Sequence, residues 1–245
     1  MISASVGQRC PDCARPQGRS RVITADDIRA QNSGWRSAPF TYSVIGICIG
    51  VFVLAFLPQT QPLVFGLLVQ DNAAVRDGQL WRLLTSAFLH MQVFHILFNM
   101  YALSIFGPPM ERQVGSASFA ALYVASALAG SGAFLVLGQP GGRALGASGA
   151  VFGLFGAWLA SSARNRHSLQ GRANLQSLGM LLVLNLVITF VIPRIAWQAH
   201  VGGLIAGGII AWLWFSVGMD RQSAPKRIGV ASVVGAIALA VTVLA

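Results

Sequence analysis

The sequence predicts an all-α protein that crosses a membrane several times, and three observations carry that prediction. Of 245 residues, 55% are hydrophobic and only 10% charged, against about 25% charged in an ordinary soluble domain. Mean hydropathy is +0.65, which means more apolar surface than a soluble chain of this length could bury. The apolar residues fall into seven runs, 40–57, 86–106, 116–138, 148–163, 175–192, 198–217 and 228–245. Each is near the roughly 20 residues a helix needs to cross the hydrocarbon core. A net charge of +10 suggests nucleic acid only until the charges are mapped. They sit mostly in the connections between runs, so the expected partner is the lipid bilayer and not nucleic acid.

Taken in order, residues 1–39 form a polar tail on the first run, which reads as an uncleaved signal anchor. The tail holds one Cys-x-x-Cys pair, Cys10 and Cys13, and a basic linker over 17–39 suited to anionic headgroups. Two thiolates are half of a structural zinc site, so no bound metal is expected. Cys48 lies in the first run, and three cysteines exclude a disulfide framework. The connection 58–85 is long and half apolar. It reads as an interfacial structure in the outer leaflet, with the Trp81 ring at the headgroups and the Arg82 guanidinium reaching phosphates. The fourth run, with 16 residues, is the shortest. A short helix starting at Ser148 would leave that serine below the membrane surface, with the loop 139–147 dipping to meet it. Backbone at that depth is tolerated only against protein or a water-filled cavity.

Basic residues set the orientation. With 1–39 in the cytoplasm, the inner connections carry thirteen of the seventeen Lys and Arg, and the outer ones carry Arg76, Arg82, Arg143 and Arg194. This topology places Ser148 and His200 at the outward-facing ends of the fourth and sixth runs, at similar depth. It describes a multi-pass protein of the cell membrane whose site opens to the outer face.

Polar, ionisable groups inside a span are costly and mark function. Serine needs a neighbouring base to become a nucleophile, and His200 is the candidate. Ser148 is followed by Gly149 and Gly153, and His200 by Gly203 and Gly207. Glycines four apart form a flat stripe that admits a close helix neighbour. Packing the two stripes together would bring Ser148 to His200. None of the seven acids, Asp12, Asp26, Asp27, Asp71, Asp77, Glu111 and Asp220, falls inside a span near His200. The machinery therefore reads as a Ser–His dyad, with the histidine oriented by packing or by a neutral partner. His95 and Asn99, four apart on one helix face, could join the Ser148 amide as donors to an oxyanion. His90, five residues from His95, faces elsewhere and reads as structural or loop-anchoring. Zinc ligation by His90, His95 and His200 lacks an acidic or thiolate companion, so no cofactor or metal is expected.

These residues resemble the rhomboid intramembrane serine proteases. The resemblance covers roughly 40–217. It rests on Trp81-Arg82, the run His90-Met91-Gln92-Val93-Phe94-His95-Ile96-Leu97-Phe98-Asn99, the motif Gly146-Ala147-Ser148-Gly149, and Ala199-His200 followed by Gly203 and Gly207. It implies a six-helix core, with the seventh run as an addition. Ser148 would be the nucleophile and His200 the base, with His95, Asn99 and the Ser148 amide binding the oxyanion. Gly146, Gly149, Gly203, Gly207, Trp81 and Arg82 would give structural support, as would Glu111 and Arg112. Residues 193–199 would act as a movable cap. The expected domains are a cytosolic tail over 1–39, a protease core over 40–217, and a linker with an extra helix over 218–245. The tail looks like the end of a small zinc-binding domain that some bacterial relatives carry.

The implied function is hydrolysis of peptide bonds in or near the transmembrane segments of single-span membrane proteins. An adaptor or chaperone of the same fold that retains client helices is the alternative, and the intact Ser–His–His–Asn set argues against it. A transporter lacks an internal repeat and an intramembrane carboxylate. The natural substrate and the oligomeric state are left open.

Overall fold

The computed structural model describes Ile2–Ser3, Gln8–Arg9 and residues 34–191, 195–219 and 221–244. Most of the tail, including Cys10 and Cys13, and residues 193 and 194 of the expected cap lie outside the described residues. The contacts divide the chain into two units at Ser37/Ala38. The first unit pairs strand β1 (Ile2–Ser3) antiparallel with β2 (Gln8–Arg9) and ends in a 3-10 turn, Gly34–Ser37.

The second unit is a helical bundle. Its elements are α1 (Pro39–Phe56), α2 (Gln61–Leu68), β3 (Gln70–Asp71), α3 (Asn72–Arg76), α4 (Arg82–Thr85), α5 (Val93–Val114), α6 (Ser116–Leu137), β4 (Arg143–Ala144), α7 (Ser148–Arg164), α8 (Leu169–Val191), α9 (Trp197–Val217) and α10 (Ala224–Leu244). Seven of these helices answer to the seven apolar runs. Among the described residues five, α1, α5, α6, α9 and α10, are long and apolar enough to cross a membrane, so the chain is a multi-pass membrane protein. Helix α7 has 17 residues and rises about 25 Å, short of the roughly 30 Å core.

The second run is displaced from its expected bounds. The helix starts at Val93 and not at 86, and it continues to Val114 through Pro108 and Pro109. Residues 86–92 stay outside because they lend acceptors to a neighbouring loop: Ser86 O accepts from Gly146 N at 2.8 Å, and His90 Nε2 from Ala147 N at 3.3 Å. The two prolines remove donors, which ordinarily ends or kinks a helix. Here tertiary contacts hold the last turns. Gly107 seats against Thr41, Trp158 Nε1 donates to Phe106 O at 3.2 Å, and Glu111 anchors the end.

The Glu111 carboxylate is buried and fully used. One oxygen accepts from Phe40 N (2.9 Å) and Ser116 Oγ (2.6 Å), the other from Thr41 N (2.8 Å) and Thr41 Oγ1 (2.7 Å). Helix α1 has no side-chain cap of its own, and its first amides lack intrahelical acceptors. Glu111 therefore supplies the cap from 70 residues away. At the same end of the bundle the buried Arg227 joins α10 to the rest, donating to Gly218 O at 2.9 Å and Val114 O at 3.1 Å.

Helices α7 and α9 run parallel and touch backbone to backbone. A Cβ added at Gly203 would collide with Gly149 O, and one at Gly207 with Gly153 O. Gly130 of α6 closes the junction, its Cα facing Ala199 O and Gly149.

Glu111→Gln places an NH2 group against donors and leaves at least one buried donor unpaired, at a cost of about 1–3 kcal/mol. The thermal midpoint of the detergent-solubilised variant should fall. An unchanged midpoint would show that Glu111 is not what caps α1.

Candidate active site

The site is assembled at the N-terminal ends of α7 and α9. Ser148 is the first residue of α7, so its amide and those of Gly149 and Ala150 have no intrahelical acceptor and carry the positive end of the helix dipole. Val151 N is the amide that bonds back to Ala147 O, at 3.0 Å. His200 is the fourth residue of α9 and is buried. Its Nε2 lies 2.8 Å from Ser148 Oγ. Phe152, one turn below Ser148, stacks flat on the imidazole with ring centroids 4.2 Å apart and planes 8° from parallel. The other ring nitrogen, Nδ1, lies 3.0 Å from Thr189 Oγ1 of α8.

The loop before Ser148 is held by the segment that follows α2. Strand β3 pairs antiparallel with β4, Gln70 opposite Ala144 and Asp71 opposite Arg143. Buried Gln70 donates to Ser131 O at 2.9 Å, and buried Asn72 donates to Gln139 O at 2.9 Å. Gly146 has φ +118°, open to glycine and strained for other residues. A Cβ there would also stand 2.6 Å from the His95 ring. A small open pocket adjoins Ser148, lined by Gln70, Ser86, Ser131, Gly146, Ala196 and Ala199 among others.

The structure thus brings together Ser148 with His200, and His95 with Gly146. Asn99 is buried beside them on α5, but its Nδ2 donates to His95 O at 2.9 Å. His95 thus lies against the loop that leads into Ser148, and Asn99 is tied to the His95 backbone one turn further along α5. His90 is buried, packs edge-on to His95 with centroids 5.0 Å apart, and receives the Ala147 amide. Among the described residues no cluster of three His, Cys, Asp or Glu could hold a metal ion.

Arg82 corrects an expectation. Its guanidinium is turned inward and not toward phosphates, donating to Val69 O (2.8 Å), Gly66 O (2.5 Å) and Gln79 Oε1 (2.7 Å). Trp81 Nε1 donates to Leu67 O and Thr85 Oγ1 to Leu68 O, both at 3.2 Å. The carbonyls that end α2 have no intrahelical donors, and this group of side chains supplies them. Sequence reasoning missed Thr189, Phe152, Gln70 and Asn72. Only Phe152 carried a signal, four residues after Ser148 on the same helix face.

Fold and site together define a polytopic helical membrane protein in which a half-buried serine meets a buried histidine where two glycine-lined helices start. The Rhomboid domain matches residues 77–217, more than half of the chain. The chain belongs to the rhomboid family. It is 36% identical over 177 residues to Rhomboid protease GluP of Bacillus subtilis (strain 168), covering 69% of this chain and 33% of that protein. It is 36% identical over 145 residues to RHOMBOID-like protein 5 of Arabidopsis thaliana, covering 58% of this chain and 47% of that one. It is 30% identical over 179 residues to Rhomboid protease GlpG of Yersinia pseudotuberculosis serotype I (strain IP32953), covering 72% and 63%. The chain spans less than two thirds of each of these relatives.

Two outcomes are expected of variants in the loop. Gly146→Ala adds backbone strain of about 1–3 kcal/mol and a clash with His95, so the thermal midpoint should drop and the loop should lose protease resistance; wild-type behaviour in both would rule out the strained turn. The Arg143 guanidinium, bonded at 2.8 Å, holds the Asp71 carboxyl below its ordinary range. A lowered folded pKa adds stability above the ordinary carboxylate value of about 4, which is lost as pH falls through the folded pKa. Asp71→Asn keeps the acceptor that caps α3 and removes the charge. Its stability should lie slightly below wild type at pH 7, by less than about 1 kcal/mol for so exposed a pair, and the gap should close only as pH falls from about 4 through the lowered folded pKa. A gap that persists in acid would exclude the ion pair as its source.

Proposed function

We propose that this chain is an intramembrane serine endopeptidase that cleaves peptide bonds in or near the transmembrane segments of single-span membrane proteins. The observation that carries the reading is the 2.8 Å contact between Ser148 Oγ and His200 Nε2, made by two groups that would be costly in lipid without a task. The similarity to GluP and GlpG, both rhomboid proteases, supports it.

In this reading Ser148 Oγ attacks the scissile carbonyl carbon while its proton passes to His200 Nε2. The carbonyl π pair moves to oxygen, and the amides at the start of α7 face that charge. His95 and Asn99 would turn toward it when substrate is bound. Collapse of the tetrahedral adduct breaks the C–N bond, and the imidazolium gives its proton to the leaving amine. Water held in the pocket beside Gln70 and Ser131 then hydrolyses the acyl-enzyme with His200 as base. The core over 40–217 would do this work, with 1–39 a cytosolic tail and 218–245 an added helix. The charge pattern supports a cell-membrane protein with its N-terminus in the cytoplasm and the site opening outward.

Purified protein in detergent should be labelled covalently by a fluorophosphonate, and Ser148→Ala and His200→Ala should each abolish the label. Turnover of a single-span substrate in proteoliposomes should fall on the order of 10³-fold or more in either variant. Labelling that survives Ser148→Ala, or folded wild-type protein that takes no label, would reject the endopeptidase reading.

A further inference from the structure

The dyad needs one tautomer of His200. For Nε2 to take the serine proton, its lone pair must face Ser148, so the ring hydrogen must sit on Nδ1 and find an acceptor there. In a triad a carboxylate does this, and no carboxylate lies against this histidine among the described residues. What stands at Nδ1 is Thr189 Oγ1, at 3.0 Å. Thr189 is buried on α8, and the same hydroxyl lies 2.8 Å from Asn185 O one turn earlier.

A hydroxyl has a single hydrogen, and a backbone carbonyl can only accept. The 2.8 Å contact with Asn185 O therefore consumes the Thr189 hydrogen, and the Thr189 oxygen offers Nδ1 only lone pairs. The alternative, Thr189 donating to Nδ1, would press two unprotonated oxygens together and place the ring hydrogen on Nε2, against the serine.

Resting on the endopeptidase reading above, we propose that Thr189 is the positioning residue of this site: its hydroxyl, locked by Asn185 O, accepts from His200 Nδ1–H and so keeps Nε2 free to take the Ser148 proton. A helix carbonyl and a threonine thus take the place of the third triad member. Phe152, stacked flat on the face of the imidazole, fixes the plane of the ring, and Thr189 fixes which nitrogen carries the hydrogen. When Nε2 gains the serine proton, Nδ1–H stays on Thr189 Oγ1 and no proton moves along α8.

The test uses the full chain in detergent and the second-order rate of fluorophosphonate labelling at Ser148, with thermal midpoints as the folding control. Thr189→Val keeps the shape and removes the acceptor. Its labelling rate should fall on the order of 10- to 100-fold, the loss seen when the partner behind a metal-bound histidine is removed. Thr189→Ser keeps the hydroxyl and the bond to the carbonyl one turn back, and should stay within about threefold of wild type. Thr189→Ala gives the same contrast should the valine variant not fold. Equal rates in wild type, valine and alanine variants, or serine and valine variants falling together, would overturn the positioning role while leaving the endopeptidase reading intact. Folded wild-type protein that takes no label would overturn both.

Discussion

The site depends first on how closely α7 and α9 approach. In lipid there is no hydrophobic drive to press two helices together, so packing of small residues and hydrogen bonds must do it. Gly149 meets Gly203 and Gly153 meets Gly207 at one constant offset, and a single added methyl would occupy the space of a carbonyl oxygen. That contact sets both the distance and the register. A slip of one helical turn moves a side chain about 5.4 Å, which no 2.8 Å bond between Ser148 and His200 could survive.

The second constraint is that every polar group held away from water needs a partner inside the protein. The non-helical backbone around the site obeys it in detail. The last turn of α2 gives its carbonyls to Arg82, Trp81 and Thr85, the loop before Ser148 pairs with β3, and the Ala147 amide goes to a histidine ring. Burial of Arg82 is explained the same way. Its charge is spent on unpaired carbonyls in the interior, where the return is larger than at a hydrated headgroup. Trp81, half exposed over that guanidinium, is left as the outward-facing member of the pair.

Legibility in the sequence followed the range of the interaction. Helix existence could be read because hydropathy is summed over some twenty residues. The α7 start could be read at Ser148 because the loop before it is glycine-rich and the run after it is short. The glycine stripes pointed to α7 and α9 as neighbours, since spacing within one helix reports a face. The bounds of α5 could not be read, because Pro108 and Pro109 argue locally for a stop that Glu111 and Thr41 override from elsewhere in the fold. Thr189 was invisible for a similar reason. It is 11 residues before His200 with a helix break between, and no periodicity links positions on either side of such a break. Gln70 and Asn72 read as ordinary loop residues until their partners on α6 and beyond it are known.

Glu111 has a consequence for the order in which the bundle is built. Helix α1 is made first, yet the acceptors for its opening amides belong to a side chain 70 residues further along. Without that carboxylate, the opening amides of α1 have no acceptor in the fold and must be met by water. The ring closes only when the α5–α6 turn is in place, with Ser116 in the same cluster. Insertion and packing are therefore separate events for this helix. A residue near the end of the second long span thus latches the start of the first, and a chain interrupted before it would lack the acceptors that cap α1.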